Sequence, residues 1–382
     1  MLENFLGEEI EKTVFLSAAQ MREARPGLVR GKYFKDTAIF NIFPPELSDR
    51  GEFLGRILPE GSEPNAKGFC GVAGQEKIQF YFDGKPIKAE PYELHQNIFS
   101  RNKGILETDK MDHKRAVILG CGSVGSLVAM ELARSGVGHF LLADPDVMEY
   151  HNICRHQCGI EDVGDLKINA LKRKLLNINP QVDVQIFEGI VQNIPKAVLD
   201  DFCVKGETVF VGCADNRGAD VYANRISIYY GAAFLSVGFW ERAYAGEIFY
   251  HIPGRGMPCY ACALGEGTEL SARVQANHHV YSNQENIEGV RFEPGISVDI
   301  NFITCIGVKL CLDILNMTEP GYRPRLLNTL KQYTLVCNTS DPEIGGEMVE
   351  IFSYPLQVTT SLKVGFHSEK CPGQCRYEIE DH

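Results

Sequence analysis

A short apolar strand, a glycine-rich turn and a helix follow one another directly from residue 116, and that succession fixes most of what this chain can fold into. Residues 116–119 are apolar and strand-like, Gly120-Cys121-Gly122-Ser123-Val124-Gly125 must turn, and residues 123–135 carry apolar side chains at helical spacing. The same alternation then repeats. Strands are expected at 140–143, 182–187, 208–212 and 233–237, with helices at 166–176 and 220–230 between them. Strands separated by helices of this length cannot pair as hairpins. They predict an α/β fold, a Rossmann-like and mostly parallel sheet with helices on both faces. An apolar helix over 299–315 and strands over 334–337, 347–352 and 356–364 read as an antiparallel C-terminal extension of that sheet.

The front of the chain reads differently. Residues 32–43 and 77–82 suggest strands, the second running into Asp83-Gly84, a hairpin signal. Residues 44–74 are rich in Gly, Pro and Glu and read as loop, and 91–106 as a helix. The expectation is a small α+β domain over residues 1–95, serving partner recognition, ahead of a larger domain over 96–382.

Composition narrows the class. The 382 residues are 44% hydrophobic and 23% charged, which excludes disorder as the main state. A net charge of −12 argues against a partner bound by general attraction to nucleic acid. The longest apolar stretch, 232–240, is far short of the ~20 residues a membrane span requires. The first twelve residues, MLENFLGEEIEK, are acidic where a secretion signal would be basic, so a cytoplasmic location is expected.

The glycine loop has a chemical meaning. Gly120, Gly122 and Gly125 allow a tight turn and close approach of backbone N–H groups to phosphate, and the helix N-terminus adds partial positive charge. Asp144 ends the next strand, 19 residues after Gly125, where a carboxylate can accept from ribose hydroxyls. To this point a dinucleotide and ATP are equally served, and an NAD-dependent oxidoreductase remains open. The next segment favours ATP. Asp146, Asn152, Arg155 and Lys167 follow closely, and two cations beside a phosphate loop suit a triphosphate under attack. Asp215, followed by Asn216, ends the fourth strand and could hold Mg²⁺ across phosphates.

Cysteines supply the second signal. Among thirteen, Cys259 and Cys262 form one clip and Cys371 and Cys375 a second, wider one. Four thiolates in two short clips suit tetrahedral Zn²⁺. The remaining nine read as buried small apolar residues.

Together these residues resemble the ThiF/MoeB/HesA family of adenylyltransferases, which includes the ubiquitin-activating enzymes. The pattern is GxGxxG, then D-x-D-x-V-x-x-x-N-x-x-R-Q, V-G-x-x-K and D-N. It is met here by Gly120/Gly122/Gly125, Asp144, Asp146, Val147, Asn152, Arg155, Val163-Gly164, Lys167 and Asp215-Asn216, with Asn179-Pro180 also in place. The resemblance covers residues 99–376. It implies attack of a C-terminal carboxylate on the α-phosphate of ATP, giving an acyl-adenylate and pyrophosphate. Arg155 and Lys167 would face phosphates, Asp144 and Asn152 the ribose and adjacent groups, and Asp215 Mg²⁺. Arg101, in Ser100-Arg101-Asn102, would act from the partner subunit of a homodimer. The implied substrate is a ubiquitin-like or sulfur-carrier protein, with a conjugating enzyme as a further partner. A peptide C-terminus or a tRNA base are alternatives, and an inactive scaffold is disfavoured because Arg155, Lys167 and Asp215 are all present.

The sequence departs from the family at several points. No cysteine falls in 263–304, where thioester-forming members carry one, and Cys305 lies in an apolar helix where a core position is expected. Adenylation without an enzyme thioester is therefore expected. Thr268 or Ser271 could form an oxyester, and His278-His279 reads as loop. The family's glutamine after the arginine is His156, and its arginine after D-N-x-x-x is Asp220.

Overall fold

The computed structural model describes residues 11–22, 25–75, 77–94, 98–106, 108–214, 216–240, 243–264, 294–339, 358–362, 364–366, 371 and 375. The chain divides into two units, Met1–Ser100 and Arg101–His382.

The front unit is a closed barrel with strand order β1-β3-β2-β4-β5-β6-β7. Its strands are β1 (Thr13–Leu16), β2 (Gly27–Phe34), β3 (Ile39–Ile42), β4 (Glu52–Leu58), β5 (Phe69–Ala73), β6 (Ile78–Phe82) and β7 (Lys85–Pro91), and its helix is the five-residue α1 (Ala18–Arg22). Alternate residues point inward and form one core of Val14, Leu16, Phe40, Phe69, Phe80 and neighbours. Phe40 stacks on Tyr33 at 4.1 Å and on Phe69 at 4.5 Å between ring centroids. Two expectations are corrected here. Residues 44–74 hold β4 and β5, and their glycines permit close packing inside those strands. A Cβ on Gly55 would stand 2.1 Å from the Phe69 carbonyl oxygen, and one on Gly71 would be 2.9 Å from Ile78. Residues 91–106 are not a helix where described: β7 ends at Pro91, and Gly104 sits in a turn at φ +83°.

The second unit is built on an eight-stranded sheet, order β10-β9-β8-β11-β12-β13-β14-β15. These are β8 (Arg115–Leu119), β9 (His139–Ala143), β10 (Asp183–Phe187), β11 (Thr208–Gly212), β12 (Ala233–Phe239), β13 (Ala245–His251), β14 (Tyr333–Cys337) and β15 (Val358–Leu362). From β10 to β12 all pairs are parallel, and from β12 to β15 all are antiparallel. The expected strand over 347–352 lies outside the described residues.

Strand alternation sorts the apolar residues onto two faces. Ala116, Ile118, Phe140, Leu142, Val209, Val211 and Leu235 join one cluster, and Val117, Leu141, Phe210 and Phe234 join the other. Helices α2 (Ser123–Arg134), α3 (Lys167–Ile178) and α7 (Ser297–Asn316) cover the first face. Helices α4 (Lys196–Phe202), α5 (Arg217–Tyr229) and α6 (Tyr260–Ala263) cover the second. Both faces being buried explains why the strands read as continuous apolar runs. Among the described residues no helix is long and apolar enough to cross a membrane.

Candidate active site

The parallel strand order reverses direction between β8 and β11, and beyond the carboxyl ends of strands at such a switch point lies the crevice in which open α/β sheets bind ligands. One wall is the glycine loop. Gly120 adopts φ +91°, open to glycine and costly to other residues, and a Cβ there would come within 2.9 Å of the Ala214 backbone nitrogen. A Cβ on Gly125 would lie 1.8 Å from the Gly120 carbonyl oxygen, so only glycine lets α2 start this close to the turn. Gly122 differs: apart from its two chain neighbours, no atom of the described residues lies within 4 Å of where its Cβ would be, and no side chain caps α2. The bare Cα and first-turn N–H groups form an anion-ready surface.

The segment after β9 braces this loop. Asp144, 5% exposed, accepts from the Cys121 N–H at 2.6 Å and from the Asp146 N–H at 2.8 Å. A carboxylate has about four acceptor positions, so these two bonds leave capacity for a hydroxyl. Asp146 is exposed, and its carboxylate takes the Lys167 ammonium at 2.7 Å. Lys167 opens α3, and its backbone N–H also reaches the Asp146 carbonyl at 2.9 Å. Arg155 is half-buried beside the entry to α7, where a Cβ on Gly295 would stand 3.5 Å from its Nη1. Buried His156 points back to the glycine loop, its Nε2 2.7 Å from the Cys121 carbonyl oxygen.

Two expected ligand-binding amides are engaged by backbone. The Asn152 side-chain oxygen accepts from the Glu149 N–H at 2.9 Å and closes a one-turn helix. The Asn216 side-chain oxygen accepts from the Ala219 N–H at 3.1 Å and caps α5. Asp215, Thr268, Ser271 and His278-His279 lie outside the described residues. Arg101 is exposed and is not brought to its own chain's glycine loop. Its neighbour Asn102 donates to the Arg134 carbonyl at 3.0 Å, at the opposite end of α2, and a helix of 12 residues is about 18 Å long.

Under the β11–α5 loop lies a polar network that the sequence did not announce. Asp220, one turn into α5, accepts from the Ser236 hydroxyl at 2.6 Å on β12. Burial pushes its carboxyl up to about 7, against the pull of Ser236 and Arg217. Gly212 makes room for it, since a Cβ there would lie 2.1 Å from Asp220 Oδ1. Arg217 pairs with buried Glu247 on β13 and donates to the Tyr260 hydroxyl at 3.1 Å, and Glu247 accepts from Tyr333 at 2.7 Å. The signals in the sequence were Asp220, already a departure from the family pattern, and a lone Glu within the apolar run AGEIFYH.

The four clip cysteines converge. Cys259, Cys262, Cys371 and Cys375 are buried, with all their sulfurs within 4.8 Å of one another. Five of the six sulfur pairs lie between 3.1 Å, for Cys259–Cys371, and 3.8 Å, for Cys259–Cys262. A tetrahedral ion bound at about 2.3 Å would set its sulfurs about 3.8 Å apart, so the cluster fits a metal after a small expansion. Of the other cysteines, Cys154 and Cys305 are exposed, which corrects the expectation that all are buried. Partial burial and then Glu131 raise the Cys305 thiol above its ordinary pKa, which works against a thiolate.

The ThiF family profile matches residues 94–344. The chain belongs to the ThiF family. Among curated relatives, ubiquitin-like modifier-activating enzyme 5 of Dictyostelium discoideum is 31% identical over 202 residues, 49% of this chain and 51% of that protein. The sulfur carrier protein ThiS adenylyltransferase of Bacillus subtilis (strain 168) is 33% identical over 160 residues, 41% of this chain and 45% of that protein. The chain spans about half the length of the curated relatives it matches. Among solved structures, E. coli MccB with ATP superposes with a TM-score of 0.52 at 21% identity, covering 74% of each chain. That likeness extends the shared fold beyond the aligned sequence.

Proposed function

We propose that this ThiF-family chain is an adenylyltransferase that activates the C-terminal carboxylate of a ubiquitin-like or sulfur-carrier protein. A carboxylate oxygen attacks the α-phosphorus of ATP, the bond from that phosphorus to the bridging oxygen breaks, and pyrophosphate leaves. The observation that carries the reading is the glycine loop at the sheet's switch point, braced by Asp144 and His156, with Lys167 on Asp146 nearby. Lys167 now holds Asp146. A bound triphosphate would compete for that ammonium, at little cost because Asp146 is 62% exposed and readily solvated. Arg155 and Lys167 stabilise charge on the phosphates, Asp144 retains acceptor capacity for the ribose, and Gly120, Gly122 and Gly125 let the backbone approach. Asp215 would hold Mg²⁺, which neutralises phosphate charge when bound. Cys259, Cys262, Cys371 and Cys375 would hold structural Zn²⁺. The place of Arg101, far from its own loop, is compatible with service to a partner's site in a homodimer.

The lack of a cysteine in 263–304 favours transfer without an enzyme thioester, so a conjugating enzyme would take the acyl-adenylate directly. A second reading keeps the chemistry and makes a peptide C-terminus the acceptor. It is supported by the likeness to MccB, one structure of which holds AMPCPP and MccA.

The test is ATP–pyrophosphate exchange with candidate acceptors. Exchange is expected to require Mg²⁺ and the acceptor, and to fall by about 10²–10³ in Arg155→Ala or Asp215→Ala. Full exchange in either variant would refute the assignment of the site, and NADH binding without ATP binding would refute the reading altogether.

A further inference from the structure

Cys121, between the two glycines of the turn, is held at both of its peptide groups by side chains of one segment. Its N–H donates to Asp144 at 2.6 Å, and its carbonyl meets His156 Nε2 at 2.7 Å. The other ring nitrogen is also committed. His156 Nδ1 accepts from the Cys158 N–H at 3.0 Å. One nitrogen must therefore donate while the other accepts, and only the neutral imidazole with its proton on Nε2 does both. The ring is 7% exposed, so water cannot readily replace either bond.

We infer that His156 is a positioning residue of the phosphate loop, holding Cys121 in place for nucleotide only as the neutral Nε2–H tautomer. The inference rests on the nucleotide reading proposed above. Protonation would put an N–H on Nδ1 facing the Cys158 N–H, two donors about 3.0 Å apart, and would force the ring off the loop. The groups that face the ring come from every neighbouring element: Lys167 from α3, Asp144 from the end of β9, Asp162 from the turn before α3, and the Cys121 carbonyl from the loop. Burial is foremost in holding its pKa below the ordinary 6.5. Lys167 acts in the same sense, while Asp144, Asp162 and the carbonyl oppose it. The neutral form therefore prevails at neutral pH, and the charged form enters only under more acidic conditions. A glutamine carboxamide offers the same pairing of donor and acceptor, which explains how histidine can stand where the family pattern has glutamine. The difference is that glutamine does not titrate.

The experiment measures binding of a non-hydrolysable ATP analogue from pH 5 to 8 by wild type, His156→Gln and His156→Ala. Circular dichroism at each pH reports folding. Long-range ¹H–¹⁵N NMR of the wild type reads the histidine tautomer without nucleotide. The analogue's own titration is common to all three proteins and cancels in the ratios. Expected are an Nε2–H signal at pH 7.5 and a loss of about tenfold in affinity for folded His156→Ala. His156→Gln should restore affinity to within about threefold and lack the extra acid fall of wild type. Wild-type affinity and pH profile in His156→Ala would overturn the inference, as would an Nδ1–H tautomer or an unchanged acid limb in His156→Gln. Wild type binding no analogue at any pH would instead overturn the nucleotide reading beneath it.

Discussion

Replacing Asp220 by Asn should make the protein more stable at pH 8, and much less so at pH 5. Asp220 is 5% exposed, and burial lifts its carboxyl from 3.8 to about 7. Arg217 and the Ser236 hydroxyl pull it down, and Glu247 pushes it further up. The sign follows from proton binding. The folded pKa exceeds the unfolded one, so the native state holds the extra proton between pH 4 and 7, and stability falls as pH rises through that window. A gap from 3.8 to about 7 corresponds to at most about 4 kcal/mol, from ~1.4 kcal/mol per decade. Asn is nearly isosteric, accepts from Ser236 through its oxygen and never ionises, so it removes this slope. Urea denaturation of both proteins at pH 5 and pH 8 reads the difference. The variant should exceed wild type by about 1.5 kcal/mol at pH 5, where part of the window is already crossed, and by about 4 kcal/mol at pH 8. Equal differences at both pH values would refute the claim that a buried carboxyl titrates here.

Other perturbations follow from the same geometry. Gly125→Ala, whose Cβ would lie 1.8 Å from the Gly120 oxygen, must displace α2 or the loop; nucleotide affinity should drop at least tenfold, by calorimetric titration. Metal analysis should return about one Zn per chain, lost in Cys262→Ser with a clear fall in melting temperature. Asp313, 1% exposed, accepts from the backbone N–H groups of Arg325, Leu326 and Leu327 and from the Tyr322 hydroxyl. Asp313→Ala strands these donors and should cost about 3–5 kcal/mol by urea denaturation, and a cost under 1 kcal/mol would contradict that accounting.

What could be read from the sequence depended on how local the cause was. The parallel strands were legible because burial on both faces makes them short apolar runs bounded by turns. The glycine loop was legible because strand, turn and helix are contiguous, and the cysteine cluster because two-clip spacing is a local constraint on a distant meeting. The barrel strands β4 and β5 were hidden because Gly55 and Gly71 are required by neighbours far along the chain, and such glycines are indistinguishable from loop glycines in sequence. The network of Arg217, Glu247, Tyr260 and Tyr333 was hidden for the same reason: its members come from four elements. Asn152 and Asn216 stand out in the sequence as ligand-binding candidates. Their carboxamide oxygens hold backbone in place here, a distinction spacing cannot make.

The two departures from the family pattern beside the crevice differ in kind. His156 keeps the donor and acceptor that a glutamine would present, so the phosphate loop it braces can keep its shape. Asp220 reverses a charge, and the surroundings are rebuilt around it: Gly212 yields the space, Ser236 donates to it, and the nearby cation is Arg217, three residues earlier on the same helix and paired with Glu247. A change that preserves local hydrogen bonding leaves the bracing of the glycine loop intact, whereas a change that relocates charge rebuilds the polar network beneath the β11–α5 loop. If the proposed adenylation holds, the residues that set its acceptor preference are predicted to be Arg217, Asp220 and Glu247. Exchange of these residues should shift acceptor preference while nucleotide affinity stays nearly constant.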